Sequence, residues 1–508
     1  MKLPIPYRFN AASETTSTPY QGILFAIILA CSFTLAGLTL TGVLFESWKL
    51  TLSLAGSAVF VLILAFRLRV GLYLLILFVP LLSSLQLRAD IVRSYLLPKL
   101  DLFFYYSPYH VVAVVAFGIW AFKALAKPHE RSSGATGGRD IIDVSLATLM
   151  CWAAITLLWA PDVLFGIRHL FQLFLNAGLF YFAIAMISSE SAARRAAVSW
   201  LLIGVIMSIA AVADRYYVLH HQIDKLTRID YANIRIFDWL KFVVEFRLLP
   251  FRASGLSSFD VSSLIINASM PLTLFVMARK SVLVKVTGFL CLILMVVGRT
   301  FILNKSGLGS FLAMSAFILL FYRPFQGRRL MLIVLFALIL AGSLWFTQYN
   351  TFKKISGANR VASSSSGDKN SLSIRMKWWK QASGYVIEKA GAGLGPGGLR
   401  ITVNAPHSHS LIFSFFFEYG VIGLVCGLLF VGGVLRRHCR IVAAQETEMQ
   451  RLSFLLLAGM VALLIQMLVD LDLIFAEPWL FFGTAVAVTI VAKKTAAPLS
   501  GINAASAA

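Results

Sequence analysis

Apolar runs long enough to cross a bilayer recur along the chain, and they constrain the fold more than any other feature. A membrane-spanning helix needs about 20 predominantly apolar residues. Such runs lie near residues 21–45, 50–66, 70–87, 107–126, 143–160, 167–187, 196–217, 261–278, 282–300, 306–322, 328–347, 410–435, 452–470 and 475–492. They lack the short alternating pattern of a membrane barrel, so helices must satisfy the backbone hydrogen bonds in lipid. With 59% hydrophobic and 13% charged residues, the sequence predicts an all-α polytopic membrane protein with about 12–14 transmembrane helices.

Basic residues in alternate short connections predict the topology, because short Lys- and Arg-rich loops face the cytoplasm. Such connections carry Arg67 and Arg69, Arg194 and Arg195, Arg279 and Lys280, Arg436 and Arg437, and Lys493 and Lys494. Both termini are therefore expected in the cytoplasm. The predicted order is a tail at 1–20, helices in 21–217, an outer-face loop at 218–260, helices in 261–347, a large outer-face loop at 348–409, helices in 410–492 and a tail at 493–508.

The two long outer-face loops are basic, against the usual charge bias, and the second carries far more Lys and Arg than Asp and Glu. Two interpretations stay open, namely attraction to anionic lipid headgroups and binding of a phosphorylated substrate. A nucleotide site is not expected. The chain has no GxxxxGK[ST] loop, and its GAGLGPGG stretch at 391–398 imitates GxGxxG without a preceding strand. A sugar donor would therefore arrive attached to a membrane lipid.

A histidine pair stands where the second loop meets the next span, in the sequence His407-Ser408-His409-Ser410. An imidazole at a helix mouth can be a surface or capping residue, or it can accept a proton as a general base. Metal binding by the pair is not expected, since carboxylates are scarce in the loop. Residues 372–388 predict a short amphipathic helix in the membrane interface, acting as a fixed cover or as a mobile lid. Its predicted apolar face carries Leu372, Met376, Trp379, Ala382, Ser383 and Val386.

Several motifs in order resemble those of the O-antigen ligase and Wzy polymerase family. His409-Ser410, nine residues, then Gly420 and Gly423 resemble H-[NSQ]-x9-G-x-x-[GTY], and Glu418 fits the E-x-G within it. Arg375, Trp379 and Ala382, followed by Gly393, Gly395 and Gly397, are similar to R-x-x-x-W-x-x-A and G-x-G-x-G, and Arg252-Ala-Ser-Gly255 resembles R-A-[ST]-G. These motifs cover about residues 250–435. The chain differs from the family's frequent pattern at Ser410, at Ser257–Asp260 and at Lys305-Ser306-Gly307, where the family often has Asn, Pro-Asn and Ser-Arg-Gly.

The resemblance implies a GT-C-type membrane glycosyltransferase of the bacterial inner membrane. It implies metal-independent, inverting transfer of a glycan from undecaprenyl pyrophosphate to a sugar hydroxyl, with no cofactor. His409 would be the general base, and the substrate-binding residues would be Arg252, Arg375, His407, Arg168, Arg215 and Lys305. Arg168, Arg215, Arg299 and Lys305 also have a plain structural interpretation, as cations that snorkel from span ends to the membrane surface.

Three functions stay open for a chain with these motifs and this many predicted spans. A Wzy-type polymerase of O-antigen or exopolysaccharide is favoured, because the chain is long and has many predicted spans. The alternative within the family is a ligase that attaches the glycan to lipid A-core. The alternative of another class is a flippase for lipid-linked oligosaccharides, although no internal repeat is evident. Expected partners are the lipid-linked glycan, its acceptor, the bilayer and a chain-length regulator, and nucleic acid is not among them.

Overall fold

The computed structural model describes residues 68–83, 113–114, 116–120, 140–220, 257–302, 305–325, 371–403, 405, 408–442, 445–470 and 475–506. Helices account for nearly all of these residues, and none of these ranges contains a strand. The protein is therefore an all-α polytopic membrane protein, as predicted. Its helices are α1 Leu68–Ser83, α2 Ile141–Thr156, α3 Val163–Met186, α4 Glu190–His220, α5 Ser257–Ser269, α6 Leu272–Met277, α7 Val282–Ile302, α8 Lys305–Phe321, α9 Ser371–Glu388, α10 Gly398–Val403, α11 Leu411–Val442, α12 Glu448–Met467 and α13 Ala476–Ser506.

Within the described ranges, seven segments are long and apolar enough to cross a membrane. They are Ile141–Trp159, Val163–Met186, Glu190–Val212, Val282–Thr300, Leu411–Cys439, Glu448–Met467 and Ala476–Ala496. Each coincides with a predicted run. The predicted runs near 21–45, 50–66 and 328–347 lie outside the described residues. The run near 261–278 is divided into α5 and α6 at Met270 and Pro271, because proline has no N–H to donate and its ring crowds the preceding turn.

Two compact units make up the chain. One comprises Met1–Gly71 and Val114–Thr136, and the other comprises Leu72–Ala113 and Gly137–Ala508. All the helices from α2 onward lie in the second unit. In this second unit, α12 packs against α5, α8, α11 and α13. Helix α13 also packs against α3.

The core of this bundle is aromatic. Trp200 on α4 packs edge-on against Phe481 on α13, with ring centroids 4.9 Å apart, and its indole N–H donates to the Thr484 hydroxyl at 3.2 Å. Phe430 on α11 packs against Trp479 on α13. A buried indole needs a partner for its N–H, and the neighbouring helix supplies it.

Ion pairs gather several helix ends at one end of the bundle. Glu448, at the start of α12, contacts Arg194 of α4 at 3.2 Å and Arg279, just after α6, at 2.8 Å. Thr447 and Gln450 close the same end of α12 with a reciprocal capping box, which satisfies N–H groups that a helix start leaves unpaired. Arg194 and Arg279, which were predicted on the same side of the membrane, therefore lie together.

Candidate functional site: a histidine held at the start of α11

Helix α11 contains a sharp break at Gly420, whose φ is 68° and ψ is −159°. This backbone conformation is open almost exclusively to glycine. The break leaves carbonyl groups of the preceding turn without helical donors. The N–H of Leu394 donates to the Phe417 carbonyl at 2.7 Å, and the N–H of Gly395 donates to the Glu418 carbonyl at 2.9 Å.

The donors come from the glycine loop, which we define as residues 391–398. Its glycines at 391, 393, 395 and 397 all have positive φ. A Cβ on Gly393 would lie 2.5 Å from the Gly420 nitrogen and 2.6 Å from the Glu418 carbonyl oxygen. The glycines are therefore needed for close packing of two backbones, and the N–H groups of Leu394 and Gly395 are used by the protein itself rather than by a phosphate.

Two tryptophans of the second unit complete this junction. Trp152 on α2 donates its indole N–H to the Tyr419 carbonyl at 2.7 Å, and Trp159, just after α2, donates to the Gly393 carbonyl at 3.1 Å. The Val421 N–H returns a bond to the Gly391 carbonyl at 3.0 Å. Hydrogen bonds thus connect the break in α11 to the glycine loop and to α2.

Helix α9 confirms the predicted helix at 372–388, and its fully buried residues come from the predicted apolar face. Ala382 and Val386 are completely buried, in a cluster with Leu394, Leu399, Ala405 and Phe417 and with the partly buried Trp378 and Trp379. Met376, which was predicted on the apolar face, is 58% exposed.

His409 lies at the start of α11 in an unusual conformation. It is 5% exposed, and its φ is 56°, in the left-handed region. That region costs a residue with a side chain about 1–2 kcal/mol. The ring of Trp378 lies parallel to the imidazole within 6°, with centroids 6.3 Å apart. The indole N–H of Trp379 donates to the Ser408 carbonyl at 2.8 Å.

Arg375 lies one helical turn before these tryptophans on α9. It donates to the Asp470 carboxylate and to the Val469 carbonyl, both at 2.8 Å. The two charged side chains are only 12% and 9% exposed. Asp470 also accepts a hydrogen bond from the Ser306 hydroxyl at the start of α8. The face of α9 that meets His409 is therefore connected through Arg375 to the ends of α12 and α8.

A family comparison covers this region. Residues 289–428 match the family model described as O-antigen ligase. The match confirms the resemblance predicted from the motifs, and it extends from within α7 through α9, the glycine loop and His409 to α11. No curated protein matches the chain.

Arg299 lies within the matched region, residues 289–428, at the end of α7. It is 2% exposed, so the interpretation that it snorkels to the membrane surface is wrong. A Cβ on Gly307 would lie 2.6 Å from an Arg299 guanidinium nitrogen. Gly307 therefore makes room for the guanidinium. A buried charge in a membrane bundle is costly and marks a candidate functional residue.

A polar cluster surrounds Gly307 on α8. The Ser263 hydroxyl donates to the Gln466 side-chain oxygen at 3.3 Å, and the Asn267 amide donates to the Gly307 carbonyl at 2.8 Å. These side chains are completely buried. Ser306 directly precedes Gly307 and bonds Asp470, and Gln466 lies one turn before Asp470. The polar cluster is therefore continuous with the Arg375–Asp470 contact.

The other predicted site residues have different positions. Arg168 lies in the first turns of α3, and the neighbouring His169 lies against Gly397 of the glycine loop. Arg215 lies near the end of α4, and Lys305 is the first residue of α8, directly before Ser306. Arg252 and His407 lie outside the described residues. The structure thus places His409 beside Trp378, one turn of α9 from Arg375, and it places Lys305 directly before Ser306.

Sequence reasoning missed Asp470 and assigned Arg299 no site role. The signal for Asp470 was available, because an acidic residue stands at the end of the predicted run 452–470, where charges are rare. In the part of the chain that the structure describes, no group of three or more His, Cys, Asp or Glu residues could hold a metal ion.

Proposed function

We propose that this protein is an integral membrane glycosyltransferase that moves a glycan from an undecaprenyl-pyrophosphate-linked donor to a sugar hydroxyl on the outer face of the bacterial inner membrane. The observation that carries the proposal is the placement of His409. This motif histidine of the matched region lies at a helix start in a left-handed conformation, stacked beside Trp378, which is one turn of α9 from Arg375.

The proposed chemistry uses His409 as a general base. Its neutral imidazole accepts the proton of the acceptor hydroxyl, and the hydroxyl oxygen attacks the anomeric carbon of the donor. The bond between that carbon and the pyrophosphate oxygen breaks, and its electron pair leaves with undecaprenyl pyrophosphate. Attack from the face opposite the leaving group inverts the anomeric centre. Charge accumulates on the pyrophosphate, so cations aimed at it accelerate the step without a metal ion.

Arg375 is a proposed pyrophosphate contact whose side chain bonds Asp470 and the Val469 carbonyl. Guanidinium groups suit phosphate because they present planar, paired donors. Asp470 holds one nitrogen of Arg375 at 2.8 Å, which would fix the direction of the remaining donors. We propose Arg252 and His407 as further substrate contacts, and Arg168, Arg215 and Lys305 as contacts at the outer ends of their helices.

We propose a polymerase of O-antigen or exopolysaccharide. The second candidate is a ligase that attaches the glycan to lipid A-core, and the match to an O-antigen ligase family model favours it. The acceptor distinguishes the two. Deletion of the gene should leave lipopolysaccharide capped with single repeats, or lipid-linked single repeats that accumulate. Uncapped core together with full-length lipid-linked polymer would instead identify a ligase.

The His409→Ala variant tests the enzyme against a flippase. It should be inserted in the membrane at the wild-type level and still bind the lipid-linked donor, but it should not extend glycans. Glycan length in a strain that carries only the variant is the measurement. Unchanged glycan length would refute the general-base role. A lipid-linked donor that accumulates on the inner leaflet would indicate transport instead.

A further inference from the structure

The segment before α11 holds His409 through its preceding residue. The Ser408 hydroxyl donates to the Ser410 carbonyl at 2.7 Å and accepts from the Ser410 N–H at 3.1 Å. Its oxygen also lies 2.6 Å from the Ser414 hydroxyl, one turn into α11. The Ser408 hydroxyl therefore closes a short loop around His409, because it bonds Ser410, the residue that follows the histidine.

Trp379 holds the same segment from the opposite side. Its indole N–H donates to the Ser408 carbonyl at 2.8 Å, and that carbonyl belongs to the peptide bond that leads into His409. The Trp379 ring packs on Phe413 of α11, with centroids 4.4 Å apart. Both the ring and the N–H of Trp379 thus contact the start of α11. The carbonyl and the side-chain hydroxyl of Ser408, the residue before His409, are both hydrogen-bonded.

We infer that Trp379 and Ser408 are positioning residues that hold His409 in its left-handed conformation and thereby aim the imidazole at the acceptor hydroxyl. This inference rests on the proposed function. The direction of a side chain follows from the φ and ψ of its residue. A histidine released from φ 56° would return to the common α or β regions, and its ring would move away from the face of Trp378.

The conformation itself supports a positioning role. Residues with side chains that are held at positive φ occur mainly where the surrounding structure determines them, and they cluster at active sites. Here the surrounding bonds are local and specific. The buried apolar contacts of α9, through Ala382 and Val386, would hold the helix in place without the indole N–H. The bond from Trp379 to Ser408 is therefore not needed to attach α9 to α11.

The Trp379→Phe variant tests the inference, because it removes the N–H and keeps an aromatic ring against Phe413. The assay is the initial rate of glycan extension by the purified full chain with an undecaprenyl-pyrophosphate-linked donor. We expect kcat to fall by about tenfold or more, as small displacements of catalytic groups have such effects. The donor KM should change by less than about twofold, since the substitution leaves Arg375 and its bond to Asp470 in place.

The matched control is Trp159→Phe, which removes an indole N–H bond to a backbone carbonyl of the glycine loop. It should lower the melting temperature without lowering kcat. A purely structural role for Trp379 would give both variants the same profile, with lost stability and retained kcat, and would overturn the inference. Ser408→Ala is the second test. It should lower kcat as Trp379→Phe does, and a kcat within about twofold of wild type would overturn the inference even if Trp379→Phe does not fold.

Failure of this inference is distinguishable from failure of the proposed function. If His409→Ala is inactive while Trp379→Phe and Ser408→Ala keep wild-type kcat, the base assignment stands and the positioning role is refuted. If His409→Ala retains full activity, the base assignment itself is refuted, and the positioning role is refuted with it.

Discussion

The break in α11 can be tested at Gly420, by the substitution Gly420→Ala. The backbone there has φ 68° and ψ −159°, a region that alanine avoids. A Cβ would collide with the Gly391 carbonyl and would lie 2.6 Å from the Ala392 carbonyl carbon and 2.8 Å from the Gly393 nitrogen. The obstacles are backbone atoms, so no side-chain rotation relieves them, and the glycine loop must move away from α11.

The magnitude follows from what this movement breaks. Backbone strain at such a residue costs about 1–3 kcal/mol. Displacement of the loop also breaks the bonds from Leu394, Gly395 and Val421, each of which contributes about 1 kcal/mol. Together these losses are about 4–6 kcal/mol. That is a large fraction of the about 5–15 kcal/mol by which folded proteins are usually stable.

The assay is the fraction of folded, monodisperse protein that remains after heating in detergent, followed by size-exclusion chromatography. Gly420→Ala should melt on the order of 5 °C or more below wild type. The control is Gly432→Ala on the same helix, where a Cβ would meet nothing within 4 Å. It should melt at or slightly above the wild-type temperature, because alanine favours a helix. Equal melting of Gly420→Ala and wild type would refute the argument that the break requires glycine.

Further predictions concern the charged contacts. Asp470→Asn removes the carboxylate that holds Arg375, so we expect donor binding to weaken by about tenfold, measured with labelled donor in detergent; wild-type affinity would contradict a role for the pair. Gly307→Ala places a methyl group against the Arg299 guanidinium, and it should reduce glycan extension strongly in vivo. Gly309→Ala, where a Cβ meets nothing within 4 Å, is its control and should be neutral.

Hydropathy predicted the spanning helices well because the bilayer imposes one requirement, a long apolar segment with satisfied backbone groups. Within the described ranges, each of the seven spanning helices coincides with a predicted run. The divided helix at Pro271 was missed, because mean hydropathy does not register a lost N–H. The predicted number of helices in the whole chain and its orientation stay predictions.

The site was predicted less completely, because its residues come from different helices. His409 and Arg375 were found through their motifs, and both lie at the face of α9. Asp470 comes 95 positions after Arg375, and no local pattern connects them. Arg299 was interpreted as an ordinary interfacial cation, because its burial depends on Gly307 and on how α7 packs. A single sequence gives spacing along one helix, whereas such contacts depend on tertiary packing.

The contacts of α9 give a physical reason for the spacing of the motif R-x-x-x-W-x-x-A. Residues at i, i+4 and i+7 lie on one face of a helix. On α9, Arg375 bonds Asp470, Trp379 bonds the Ser408 carbonyl and Ala382 packs completely buried beside Phe417. The glycine loop that follows is bonded to α11 at Leu394.

Helix α9 is therefore attached to the bundle along its length and at the loop behind it. Of the two predicted roles, a fixed cover agrees with these contacts better than a mobile lid does. A lid that opened would have to break the buried Arg375–Asp470 pair, and separated charges of this kind are costly. Opening would also release the peptide before His409.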